Sequence, residues 1–239
     1  VDIYPEKKDL EYIIMSASAE YVVASKLVTG EDFYNDDYTY FGWLGSFYGE
    51  SALDVMNQRA KIGDQIGVEI GKGAPGTPYI VYLYYFDTAS GAMISDVDFN
   101  LVWTTTPPQQ QVDFNMTCTP ESCMIHADVT PVGYEGYYYF DAISKSYVDS
   151  YLTDFVDMDG EPYFTTPQEV VEYYWYNAVA TMMYEGQMSA DAIIRDYSCD
   201  GLNDDGKPRS HFDFELLAEH DYYVFAFTMD NNALCASTP

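Results

Sequence analysis

Two stretches of this 239-residue chain concentrate side chains that could bind something: YTYFGWLGSFY, residues 38–48, and YYWY, residues 173–176. Tyrosine and tryptophan faces stack on sugar rings or fill a partner's pockets, and both residues are enriched in contact hot spots. Tyr40, Trp43, Tyr48, Tyr174 and Trp175 are therefore the candidate ligand-binding residues. Each stretch holds one tryptophan at what looks like a corresponding place. The competing reading makes Trp43 and Trp175 core anchors of a shared scaffold, and sequence alone leaves both open.

Other chemistry is thinner. GSFYG (45–49) misses the Gly-x-Ser-x-Gly spacing of a nucleophile elbow. No Walker loop, dinucleotide fingerprint or HExxH occurs. With 39 Asp and Glu, carboxylate pairs at glycosidase spacing arise by chance, so their abundance is no sign of hydrolysis. No catalytic residue or cofactor is assigned, and the chain is not expected to be an enzyme. The acidic stretches DMDGE (157–161) and DGLNDDG (200–206) lack EF-hand spacing. They read as turns, since Asp, Asn and Gly tolerate left-handed backbone and cap their own amides. With only His126, His211 and His220 and no CxxC pair, no metal site is expected. Cys118, Cys123, Cys199 and Cys235 allow three pairings. Cys118 with Cys123 across CTPESC would close a small hairpin, the alternative being buried thiols that behave as small hydrophobes.

Composition narrows the partners. A formal charge of −29 repels nucleic-acid phosphates and anionic headgroups, which leaves a protein or a glycan. The longest apolar run, YIVYLYYF (79–86), falls far short of the ~20 residues of a membrane-spanning helix. At 48% hydrophobic residues with 25 tyrosines, the chain has ample core material.

What must position these residues is a module used twice. ADVTPVGYEGYYYFDAISKSYV (127–148) lies on VDIYPEKKDLEYIIMSASAEYV (1–22) at an offset of 126, matching Asp2 to Asp128, Pro5 to Pro131, Tyr12 to Tyr138, Ser18 to Ser144, Tyr21 to Tyr147 and Val22 to Val148. SALDVM (51–56) then fits SADAII (189–194) at 138, and YIVYLYYFD (79–87) fits YYVFAFTMD (222–230) at 143. The offset grows between elements, where loops accept insertions.

Strands are expected at MIHADV, with Ile125, Ala127 and Val129 on one face and His126 and Asp128 on the other, and at GYYYFDAIS, YYVFAF and HFDFEL. YIVYLYYFDTASGAMISDVDFNLVW reads as a hairpin turning at DTASG. TPQEVVEYYWYNAVATMMYEG reads as a helix with Thr166 at the N-cap, Pro167 next and Glu169 completing a capping box. Ser51 and Ser189 open a shorter helix in each copy. The proline- and glutamine-rich VWTTTPPQQQVDF joins two domains, 1–107 and 111–239. The first domain lacks a first strand and the second a last one, which would leave exposed sheet edges.

PGTPY (75–79) resembles the Pro-Gly-Thr-x-Tyr corner of fibronectin type III modules, and LLAEHDY keeps the spacing from Leu216 to Tyr222. The resemblance implies a mainly β fold: two tandem fibronectin-III-like (Ig-like) sandwiches with inserted helices, in which Tyr79 and Tyr222 form tyrosine corners whose hydroxyls bond upstream backbone. Together with the aromatic strands and Ser-capped helices, the chain is similar to tandem modules of Bacteroidetes cell-surface lipoproteins. That likeness implies export, an outer-membrane lipid anchor upstream of Val1, and no enzymatic activity. In that setting Asp87-Thr88-Ala89 resembles an O-glycosylation signal on Thr88, and Asn115-Met116-Thr117 an N-glycosylation sequon. The expected function is a non-catalytic adhesion or assembly module presenting aromatic and acidic loop surfaces, with surface carbohydrate binding as the alternative.

Overall fold

The computed structural model describes residues 1–69, 73–199, 210–217 and 220–239. Helix and strand are nearly balanced, at 30% and 31%, so the expected mainly β fold is overturned. The fold is mixed α/β, with six helices and small antiparallel sheets of four, three and two strands among the described residues, and it shows no sandwiches. The physical reason is that helices, rather than a facing sheet, cover one apolar face of the tyrosine-rich strands. Two compact units result: one comprises Val1–Gly73, Thr77–Thr104 and Val156–Glu161, the other Ala74–Gly76, Thr105–Phe155 and Pro162–Pro239.

The first unit runs β1 (Glu11–Ser18), α1 (Ala19–Ser25), α2 (Gly30–Ser46), α3 (Ala52–Arg59), β2 (Lys61–Ile62), β3 (Pro78–Tyr85) and β4 (Asp98–Trp103), in the sheet order β2-β1-β3-β4. Local chemistry starts each helix. Ser18 caps α1 by accepting from the Tyr21 amide, while Thr29 with Asp32 and Ser51 with Asp54 form capping boxes on α2 and α3. Tyr82 faces the helices, where Phe33 meets it edge-on at 4.7 Å and also packs edge-on against Phe99, 4.9 Å from Phe33. On the opposite face Ile3, Tyr12 and Tyr85 form an apolar cluster with Ile14, Leu83 and Val68. A bridge between Ile3 and Gln65 ties that cover down. Burial on both faces is why β3 reads as a continuous apolar run rather than an alternation.

The second unit runs β5 (Phe114–Glu121), β6 (Met124–Pro131), β7 (Tyr138–Ser144), α4 (Lys145–Thr153), α5 (Pro167–Tyr184), α6 (Ala190–Tyr197), β8 (His211–Glu215) and β9 (Tyr222–Thr228). Its sheets are β5-β6-β8 and β7-β9. Ala127, Val129, Tyr138, Phe140, Phe214 and Ala226 from both sheets share one apolar cluster. The alternate residues Tyr139 and Phe227 face α5 and hold Trp175 at 4.4 and 5.3 Å.

The duplication extends to strand register. Tyr12 pairs with Tyr85 across β1 and β3, and the residues displaced by 126 and 143 positions, Tyr138 and Thr228, pair across β7 and β9. Three matched pairs have the same task in both units. Ser18 and Ser144 are N-caps. Val22 and Val148 are buried. The hydroxyls of Tyr12 and Tyr138 donate to the carbonyls of Gly63 and Val129 at 2.9 and 3.0 Å.

Candidate functional site

Helix α2 buries Phe33, Asp37, Phe41 and Gly45, a stripe at four-residue steps. Beside that stripe Tyr40, Trp43 and Phe47 follow at steps of three and four, so their side chains share a second face. That face is open to solvent: Trp43 is 57% exposed and Phe47 64%. The rings nevertheless touch. Tyr40 and Trp43 lie near-parallel, with centroids 6.0 Å apart at 28°, and Trp43 meets Phe47 edge-on at 4.8 Å. Tyr48 stands exposed just beyond the helix. Gly45 makes this end of the helix possible, since a Cβ there would come within 2.6 Å of the Glu50 carbonyl oxygen. The turn folds back over the glycine, and the Tyr48 and Glu50 amides both donate to the Gly45 carbonyl.

Trp175 has the opposite fate. It is 2% exposed, stacks on Tyr139, and its indole Nε1 donates to the Ala233 carbonyl at 2.7 Å. A buried ring of this kind is core, so Trp175 cannot serve as a ligand platform. Tyr174, its neighbour, is turned partly outward and meets Tyr147 edge-on at 5.9 Å. The two tryptophans are also not equivalent. Asp37 bonds to Tyr84, and Trp175 packs on Phe227, the residue 143 positions beyond Tyr84. Trp175 therefore matches Asp37 at an offset of 138, the offset that also relates Ser51 to Ser189. On that alignment Tyr40, Trp43 and Phe47 correspond to Ala178, Thr181 and Glu185. The aromatic face belongs to the first unit alone, and the shared scaffold does not require it. Phe47 was missed in the sequence, although its place seven residues after Tyr40 and four after Trp43 is the helical signal that groups it with them.

The same layer buries one carboxylate. Asp37 is 2% exposed and accepts hydrogen bonds from the Tyr82 and Tyr84 hydroxyls at 2.8 and 3.1 Å. Burial raises its pKa to about 7 against the lowering effect of the two hydroxyls. Burial in turn pushes both tyrosines well up. In the second unit the counterparts are Trp175, Phe225 and Phe227, so carboxylate and hydroxyls are replaced together. The trio is a satisfied polar island in the core.

The remaining candidates are placed as follows. Cys118 and Cys123 are exposed and unbridged, and the hairpin register explains it. Cys118 pairs with Ala127, while Cys123 sits in the turn beyond the Glu121–Met124 pair. At about 3.3 Å per residue, Cys118 is roughly 10 Å from Glu121, beyond the reach of a disulfide. The expected Cys118–Cys123 bridge is thereby corrected, and so is the alternative of buried thiols at these two positions. The Tyr222 hydroxyl accepts from the Leu217 amide at 3.2 Å, a corner contact without the sandwich around it. Tyr79 lays its ring against Gly73, where a Cβ would meet the hydroxyl at 2.2 Å. Ala218 of that motif lies outside the described residues. Thr88 is exposed on a turn that the Asp87 carboxylate caps through the Ser90 amide at 2.7 Å. The Asp157 carboxylate likewise accepts from the amides of Asp159 and Glu161, both at 2.9 Å, which makes DMDGE a self-capped turn. The stretch 200–206 lies outside the described residues.

Residues that could hold a metal are brought together only by pairing of β6 with β8. His126 on β6 and the pair His211 and Asp213, two residues apart on β8, place one ligand atom each within 4.8 Å of the others. No helix among the described residues is long and apolar enough to cross a membrane. No family model, curated protein or solved structure matches the chain.

Proposed function

We propose that the protein is a non-catalytic contact module at a bacterial cell surface, and that the α2 face of Tyr40, Trp43 and Phe47 docks a partner protein in adhesion or assembly. The observation that carries this reading is a set of mutually touching aromatic rings kept in water. The equivalent positions of the same scaffold do without them. Exposed Trp and Tyr clusters of this kind are what hot spots are made of, and a contiguous apolar patch is otherwise a solubility liability. A charge of −29 adds a repulsive surround that favours a basic or neutral partner face. The placement outside the cytoplasm rests on the resemblance to tandem modules of Bacteroidetes cell-surface lipoproteins, which the acidic, tyrosine-rich, lysine-poor composition fits.

A second reading has its own observation. The near-parallel Tyr40 and Trp43 rings form a flat platform of the kind that stacks on a pyranose. Tryptophan fluorescence across a polysaccharide panel separates the two, with Trp43→Ala as the control. Saturable quenching lost in that variant supports glycan binding and overturns the protein-contact reading. Silence across the panel, with retention of bead-coupled chain on an immobilised surface protein and its loss in Trp43→Ala, supports the first. Neither response overturns both.

A further inference from the structure

The outward face of the β5-β6-β8 sheet carries a cluster in which every ring nitrogen of two histidines has a carboxylate partner. His126 and Asp213 are directly opposed across β6 and β8, as are Asp128 and His211. Neighbours across a ladder have Cβ atoms about 5 Å apart, so the four side chains form a crossed quartet. At its centre the Asp213 Oδ1 lies 2.7 Å from His126 Nδ1 and 3.0 Å from His211 Nε2. At its rim Glu121 Oε2 lies 3.0 Å from His126 Nε2, and Asp128 Oδ1 lies 2.8 Å from His211 Nδ1. Two of the chain's three histidines are spent here.

We infer that His126 Nδ1, His211 Nε2 and Asp213 Oδ1 form a binding site for a single divalent transition-metal ion of the zinc class. The rim carboxylates are the argument. A metal-bound imidazole donates its other N–H to a carboxylate, which fixes the tautomer and aims the remaining lone pair at the ion. Glu121 does this for His126 and Asp128 for His211, so both inward nitrogens are free to be ligands. Bond lengths of 2.0–2.2 Å in a tetrahedral site place ligand atoms about 3.3 Å from each other. The observed 2.7 and 3.0 Å open by about 0.6 and 0.3 Å to reach this spacing, and the two ring nitrogens already lie within 4.8 Å of each other. Two imidazoles select the zinc class over calcium and magnesium, which take all-oxygen shells. The three side chains are partly exposed, so a water completes the coordination. The hydrogen bonds that Asp213 and then Glu121 accept from its ring hold the His126 pKa above its ordinary value. Neither histidine was readable as a ligand in the sequence, because His126 and His211 lie on separate strands with no motif spacing between them.

Calorimetric titration of Zn²⁺ into the full chain tests the site, in millimolar Ca²⁺ to occupy ordinary carboxylates. One ion per chain is expected, with visible absorption bands when Co²⁺ replaces Zn²⁺. His126→Ala and His211→Ala should each abolish the isotherm, while His220→Ala leaves it unchanged. Glu121→Gln and Asp128→Asn, which keep the ligands, should weaken it by about 10- to 100-fold. These two rim variants also carry the test if a histidine variant does not fold. Absence of saturable Zn²⁺ binding, or binding that survives in the double histidine variant or is unaffected by the rim variants, overturns the inference.

Discussion

Inside the first unit the Asp37 carboxylate accepts a 3.1 Å hydrogen bond from the Tyr84 hydroxyl, in a layer where the second unit sets Trp175 against Phe227. One scaffold position thus tolerates either a buried, hydrogen-bonded acid or a large aromatic ring, provided its neighbours change with it.

That acid makes stability depend on pH. The Asp37 pKa is raised from 3.8 to about 7 in the folded chain, so its contribution is fully present below pH 3.8 and is lost as pH rises through 7. The difference amounts to about 4 kcal/mol at most. Asp37→Asn should match the parent near pH 4 and exceed it in urea midpoint at pH 8. Asp37→Leu should be destabilised at both, because it strands two buried hydroxyls. A parent-minus-Asn difference that does not change between pH 4 and 8 would show that the carboxylate is not buried as described.

The two tryptophans should behave oppositely under mutation. Trp175→Ala removes a ring packed on Tyr139 and Phe227 and orphans the Ala233 carbonyl, which predicts a loss of about 3–5 kcal/mol in equilibrium unfolding. Trp43→Ala alters an exposed face and should move stability by no more than about 0.5 kcal/mol.

Helix α5 starts at a capping box in which Glu169 Oε2 accepts from the Thr166 amide at 3.0 Å and Thr166 Oγ1 accepts from Glu169. Thr166→Ala should cost about 1 kcal/mol, read as a lower urea midpoint at unchanged slope.

Much of this architecture was legible because caps and repeats are local signals. Thr166-Pro167-Glu169 marked the start of α5 to the residue, and the offsets of 126 and 143 relate the Tyr12–Tyr85 pair of one unit to the Tyr138–Thr228 pair of the other. The overall class was misread because an aromatic strand buried on both faces looks the same whether a helix or a second sheet covers it. The repeat matches Ser18 to Ser144, but tyrosine rather than an acid stands three residues after each, so the capping-box signal that marks α2, α3 and α5 is missing at α1 and α4. Pairing the two tryptophans failed for a geometric reason. Trp43 and Trp175 differ by six positions once aligned at 138, which places their side chains on different sides of the helix. The His126, His211 and Asp213 cluster depends on cross-strand register, which no single stretch encodes.

Thiol accessibility should follow the hairpin register. Cys118 and Cys123 should react with a colorimetric thiol reagent in the native protein without prior reduction, since they are exposed and unbridged. Cys235, whose burial raises its thiol pKa well above the ordinary value, should react only after unfolding. Native reactivity that appears only after reduction would mean a bridge at the hairpin.

The claim that the α2 face serves contact rather than folding is tested most directly by giving the first unit the residues of the second: Tyr40→Ala, Trp43→Thr and Phe47→Glu together. Melting temperature and retention on an immobilised surface-protein panel are measured on the same preparation. The account predicts a melting temperature within about 3 °C of the parent and loss of retention. A variant that unfolds, or one that is retained as the parent is, contradicts it.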